Sequence, residues 1–193
     1  MLKTPCLIGL CAAVLTACTS VTPAGLRAAM QLDPLETPPA ALSVAVSVPR
    51  NVALSDGDVF MSLGFVPEDA GVTEPVLAKV PLSVVENRTA PAPRSPEDRV
   101  YVLMLDQSAA LELAAAQSRI KALKAQEVKG QGSLSVGVEG GCIEGPLKNG
   151  FPVATWLRPN PAEDFVQLTR RTDFFAALDQ AEAQALRAQL RPC

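Results

Sequence analysis

Any chemistry in this chain has to proceed without histidine, because the sequence contains none. That removes serine and cysteine nucleophiles activated by an imidazole, His-ligated zinc and the usual near-neutral proton switch. A short set of candidates remains. Ser118-Arg-Ile-Lys121 places a serine one helical turn before a lysine, the S-x-x-K spacing of a lysine-activated acyl-transfer nucleophile. Its companion elements S-D-N and K-T-G do not follow, and Ser118 falls in the middle of a predicted helix rather than at its start. It reads as a chance match. Asp56-Gly57-Asp58 offers two carboxylates, whereas a calcium loop needs about six oxygens or more at set spacing, so a hairpin turn is expected there. Gly130-Gln-Gly132 and Gly137-Val-Glu-Gly140-Gly141 fall short of the G-x-G-x-x-G fingerprint and lie before or within a strand. Gly137, Gly140 and Gly141 are expected to permit a bulge or a close backbone approach where Cys142 meets the carboxyl terminus. No carboxylate pair stands out for glycoside cleavage. No catalytic residue, metal ligand set or cofactor is assigned.

Trp156 is the only tryptophan, with Arg158 beside it and Arg170 and Arg171 near in sequence. Exposed among arginines, it would be a contact hot spot. On a short strand it is instead a core residue, and the sequence favours the core.

Acidic residues outnumber basic ones, 20 against 17, for a net charge of −3, and 48% of the 193 residues are hydrophobic. A nucleic-acid partner would call for a basic excess, and a disordered chain for fewer apolar residues. One ordinary folded domain is the expectation.

The amino-terminal stretch carries an address. Lys3 precedes an apolar run from Cys6 to Leu15, followed by small residues, which is the layout of a secretory signal. The run is shorter than the ~20 residues needed to cross a bilayer. Leu15-Thr16-Ala17-Cys18 resembles the lipobox of bacterial lipoprotein precursors. The resemblance covers residues 1–18 alone. It implies cleavage before Cys18, a thioether-linked diacylglycerol on Cys18 and, usually, an acylated amino terminus. Two or more chains hold a protein stably at a membrane without spanning it. In Gram-negative members of the class an Asp after the cysteine commonly retains the protein in the inner membrane. Thr19 stands there instead, which favours the periplasmic face of the outer membrane. The organisation read from this is a signal over 1–17, a Pro-rich tether over 18–40 and a single domain over 41–193. The tether holds Pro23, Pro34, Pro38 and Pro39, with Leu26, Met30 and Leu32 available to dock on the domain.

Removal of Cys6 and Cys11 with the signal, and lipidation of Cys18, leave Cys142 and Cys193. In an oxidising compartment their default fate is a disulfide, worth about 4 kcal/mol on chain-entropy grounds. Nothing basic sits beside Cys142, and Glu144 would raise a thiol pKa there, so a reactive thiol is disfavoured.

The elements that must position these residues follow from periodicity. Strands are predicted over 41–48 with one buried face, 59–65, 76–85, 100–105, 133–138, 153–157 and 165–168. Pro81 suggests an edge or a break in the third. A helix capped by Asp106 or Ser108 presents Leu113, Ala116, Ile120 and Leu123 on one side, with Arg119, Lys121, Lys124 and Lys129 largely on the solvated side. Gly130 is read as its left-handed stop. A last helix is predicted over 173–190, packing through Phe174, Phe175, Leu178, Leu186 and Leu190. The fold class expected is α+β: a mostly antiparallel sheet of about six or seven strands, with two main helices packed on one face.

The leading functional expectation is a non-enzymatic lipoprotein that binds, or structurally supports, another envelope component. A periplasmic carrier holding a small apolar ligand between sheet and helices is the alternative, and it requires a cavity. A His-free envelope hydrolase ranks third. The anchor is directly checkable. Mass spectrometry of protein extracted from membranes should find residues 1–17 missing and an acylated thioether on Cys18, and Cys18→Ala should accumulate unprocessed precursor.

Overall fold

The computed structural model describes residues 33–193 apart from 70, 72, 87–88, 146–149, 178 and 190. The expected signal, Cys18 and the tether up to residue 32 lie outside the described residues, as do Leu178 and Leu190 and the side chain of Leu186. A 3-10 turn over Pro39–Ala41 leads into β1 (Ser43–Pro49), β2 (Val52–Ala53), β3 (Val59–Pro67), β4 (Val76–Val84) and β5 (Asp98–Met104). Helix α1 (Gln107–Ala125) follows, then β6 (Gly130–Val138), β7 (Cys142–Ile143), β8 (Pro152–Arg158) and β9 (Val166–Asp173). The chain closes with α2 (Phe174–Ala177), α3 (Gln180–Gln189) and β10 (Arg191–Pro192).

The architecture is sheet-rich α+β and mostly antiparallel. Seven strands form one sheet in the order β6-β3-β4-β5-β1-β8-β9, with every neighbouring pair antiparallel. A small second sheet, β10-β7-β2, contains the parallel pair Arg191–Pro192 against Cys142–Ile143. These two-residue strands carry no periodicity that sequence could register. The turn at Asp56-Gly57-Asp58 is not a hairpin, because β2 joins the small sheet and β3 the large one.

β1 is buried on both faces rather than one. Val44, Val46 and Val48 enter the main core, while the small residues Ser43, Ala45 and Ser47 are covered on the other side. Pro81 does not break its strand: β4 runs unbroken from Val76 to Val84, and Pro81 stands opposite Phe60 of β3. The ladder of β4 to β5 is confined to Ser83 and Val84, because β5 ends at Met104, opposite Ser83. The large sheet is therefore two halves, β6-β3-β4 and β5-β1-β8-β9, joined over two residues.

Asp106 caps α1, its Oδ1 accepting from Ala109 N at 2.7 Å. The helix ends in a left-handed residue, but that residue is Glu127 (φ 59°) and not Gly130. Val128 N donates back to Leu123 O and Glu127 N to Lys124 O, which satisfies the last carbonyls. Gly130 instead opens β6, where an added Cβ would lie 2.5 Å from Val66 O and 2.6 Å from Phe65 Cζ. Ala109, Leu113, Ala116 and Ile120 join the strand residues Val44, Met61, Phe65, Val80, Leu103 and Phe151 in one buried cluster. Residues 33–41 run along the helix. The buried Gln117 donates to Pro34 O (2.7 Å) and Thr37 O (2.9 Å), Lys121 pairs with Glu36 at 2.9 Å, and Leu35 packs on the core.

The predicted final helix starts late and is divided. Asp173 ends β9, and its Oδ1 accepts from Phe151 N (2.9 Å) and Phe175 N (3.1 Å). Those bonds hold the corner from which α2 springs. For α1, Asp106→Ala should cost about 1 kcal/mol in chemical denaturation, while Asp106→Asn stays near wild type, because only the former removes the cap acceptor.

Candidate functional site

The residues singled out for chemistry are largely committed to structure. Ser118 donates to Ala114 O within its own helix at 2.9 Å, and Lys121 is held by Glu36, so the serine and lysine do not address one another. Asp58 Oδ2 accepts from Ser55 N, and Asp56 Oδ1 accepts from Val84 N, each at 2.7 Å. Both carboxylates pin backbone at the junction between the two half-sheets. Gly140 lies against Asp58, where a Cβ would overlap the carboxylate, and Gly141 has a φ of 133°. Among the described residues no His, Cys, Asp or Glu group is arranged to hold a metal ion.

Cys142 and Cys193 form a disulfide with Cα atoms 4.9 Å apart, fastening β7 to the chain beyond β10. An open groove of about 550 Å³ runs beside it, lined by Asp58, Glu139, Gly140, Arg191 and Pro192.

Trp156 is buried, 3% exposed, against Ala45 and Ala154, with Val100 and Phe165 packed around them. It is no surface contact. This small cluster lies on the face of β1 opposite the main core, since Ala45 alternates with Val44 and Val46. Arg158 helps close that face: its guanidinium sits 4.7 Å from the Phe165 ring centroid and donates to Ser43 Oγ. Arg171 makes a two-pronged ion pair with Asp98, Nε–Oδ2 2.7 Å and Nη2–Oδ1 3.0 Å. The hydrogen bond that Arg171 donates to Asp98 raises the Arg171 pKa above its ordinary value, against the opposing effect of burial. Asp98 is only 2% exposed, so this pair supplies the partner a buried carboxylate requires. Arg170 alone of the three arginines is exposed without such a tie among the described residues. The arginines expected to decorate a tryptophan therefore do not form one patch. The Asp98–Arg171 pair spans 73 positions of sequence and carried no local signal.

The feature that remains open is apolar. A cavity of about 330 Å³ lies where Ile120 of α1 faces Leu63 and Phe65 of β3, Leu134 of β6, Leu157 of β8 and Leu168 of β9. Its rim carries Asp33, Pro34 and Leu35 on one side, and Lys124 and Ser133 on the other. β6 and β9 are the two outermost strands of the large sheet, yet both line this one cavity. The sheet is thus curled until its edges face each other, with α1 against the inside. Sequence periodicity put Leu63, Phe65, Leu134, Leu157 and Leu168 on strands without distinguishing a filled core from a lined hollow, because both select the same residues. Comparison with protein-family models, with curated proteins and with solved structures finds no match for the chain.

Removing the Trp156 ring should leave an internal void. Trp156→Ala should lose about 3–5 kcal/mol of stability, seen as a lowered thermal midpoint.

Proposed function

We propose that the chain is a lipid-anchored protein of the bacterial cell envelope, at the periplasmic face of the outer membrane, that binds a small apolar ligand without catalysing its conversion. One observation carries the reading: the roughly 330 Å³ hollow between the curled sheet and α1, walled by leucine, isoleucine and phenylalanine. That volume sits at the lower end of the ~300–1,000 Å³ of small-molecule pockets, and an apolar lining with few polar groups at the mouth is their usual composition. The mouth lies at Asp33–Leu35, and Asp33 is the first residue of the expected tether from Cys18 that the structure describes. A ligand leaving a membrane would have the shortest path into such a mouth.

The expected pair of helices on one face belongs to the same proposal. α1 supplies Ile120 to the cavity wall. α3 stacks Arg187 on Phe175, which in turn packs on the buried Phe151. A second reading, capture of another envelope protein, is favoured by Val66 and Leu77, exposed on neighbouring strands β3 and β4. Two residues make a smaller argument than an apolar hollow.

The test is binding of a compact apolar dye, N-phenyl-1-naphthylamine, to protein beginning at residue 20. Saturable fluorescence enhancement is expected, and Leu168→Trp, which fills the cavity, should weaken it about tenfold or more, equivalent to ~1.4 kcal/mol. A wild-type protein with no saturable signal would remove the proposal.

A further inference from the structure

A second, smaller cavity of about 120 Å³ lies among Val136, Val138, Val153, Thr155, Thr169 and Phe174. Compared with the first, it is displaced the same way on three strands. Along β6 the first hollow takes Leu134 and the second takes Val136 and Val138. Along β8 the first takes Leu157 and the second Thr155 and Val153. Along β9 the first takes Leu168 and the second Thr169, Arg170 and Thr172. β8 and β9 run antiparallel, so this order is what a single straight displacement along the strands requires. The two hollows stand in line between the facing edges of the sheet, and Leu134 to Val138 alone spans about 13 Å at the usual strand rise.

We infer that the two cavities are the two ends of one slot built for a linear acyl chain, with the polar end of the amphiphile at the wide mouth beside Lys124 and Ser133. This rests on the reading of the wide hollow as a ligand pocket and narrows it to one shape of ligand. The inner end has the volume of about four waters, enough for a run of methylenes and too little for a fused ring system. Its lining is mainly apolar although Thr155, Thr169, Arg170 and Thr172 also contribute, and Thr172 Oγ1 is spent on Arg170 O at 3.2 Å. Thr155 Oγ1 and Thr169 Oγ1 bond each other at 2.8 Å, and Thr155 N also donates to Thr169 Oγ1, so these polar atoms are turned on one another. At the wide end Lys124 lies one helical turn beyond Ile120 and pairs with no carboxylate among the described residues. Asp33 stands at the same rim, and its Oδ1 accepts from Leu35 N. The rim thus offers one cation to a carboxylate or phosphate and one anion to any ammonium beyond it. A free fatty acid and a lysophospholipid share the chain and the anionic group.

The experiment uses the full chain in its native membrane with two photoreactive probes. Hexadecanoic acid bearing a diazirine at the chain end should label Val136, Val138 or Val153, whereas adamantane diazirine, compact and ring-shaped, should label only Leu134, Leu157 or Leu168. Val136→Trp should abolish the chain-end label at the inner residues and leave the adamantane label in place. Unlabelled hexadecanoate and a lysophosphatidylethanolamine with the same chain then compete, and the stronger competitor identifies the source. If adamantane labels the wide hollow but the chain-end probe never reaches the inner residues, the slot is overturned and the small-ligand reading stands. If neither probe labels, or if labelling resists both competitors, both inferences fall.

Discussion

The molecule depends on a two-residue seam inside its own sheet. β4 and β5 touch through Ser83 and Val84 against Met104 and Leu103, whereas other neighbours in the large sheet share ladders of five to nine residues. The overlap is short because β5 ends at Met104 and β4 at Val84. With so little pairing between them, the halves β6-β3-β4 and β5-β1-β8-β9 can rotate toward each other far more than strand twist alone would allow. The junction is then secured from outside the ladder. Asp56 takes the N–H of Val84, Gly57 donates to Leu82 O, and Val85 N reaches Val102 O. The acidic turn that resembled a ligand site is the clamp that fixes the curl.

Curling brings β6 and β9 face to face without pairing them, and this has a cost. Exposed edges invite other strands, and most proteins cover or close them. Here the approach of the two edges narrows access from outside and leaves an apolar gap inside. The same arrangement explains the double burial of β1, which lies at the middle of its half-sheet. Its valines enter the main core, which α1 also joins, on the inside. Its serines and alanine meet the Trp156 cluster on the outside, where Arg158 and the Asp98–Arg171 pair finish the cover.

The elements themselves were legible because their signals are local. Alternating valines marked β1, the recurrence of Leu113, Ala116 and Ile120 marked α1, and Asp106 marked its start. Errors arose where a residue's role is set by something distant. Gly130 looked like a helix stop, but its lack of a side chain answers to Phe65 and Val66 on a neighbouring strand, while backbone bonds at the helix end let Glu127 take the left-handed position. Asp173 looked like the first residue of a helix and instead ends a strand, because Phe151 supplies the N–H that its carboxylate holds. The candidate site was the least legible region. Leucines that wall a hollow and leucines that fill a core are the same letters at the same spacing, and only the curl decides between them.

The clasp between Gln117 and residues 34–37 has a mechanical meaning. Tension applied at Asp33 would meet the two bonds from Gln117 and the Lys121–Glu36 pair before it met any β-ladder. These contacts lie on the helix surface and can break in succession, whereas the ladders of β1 would have to shear together. Under load the clasp would act as a fuse. It would yield length and draw Pro34 and Leu35 away from the rim, leaving the sheet and its curl intact.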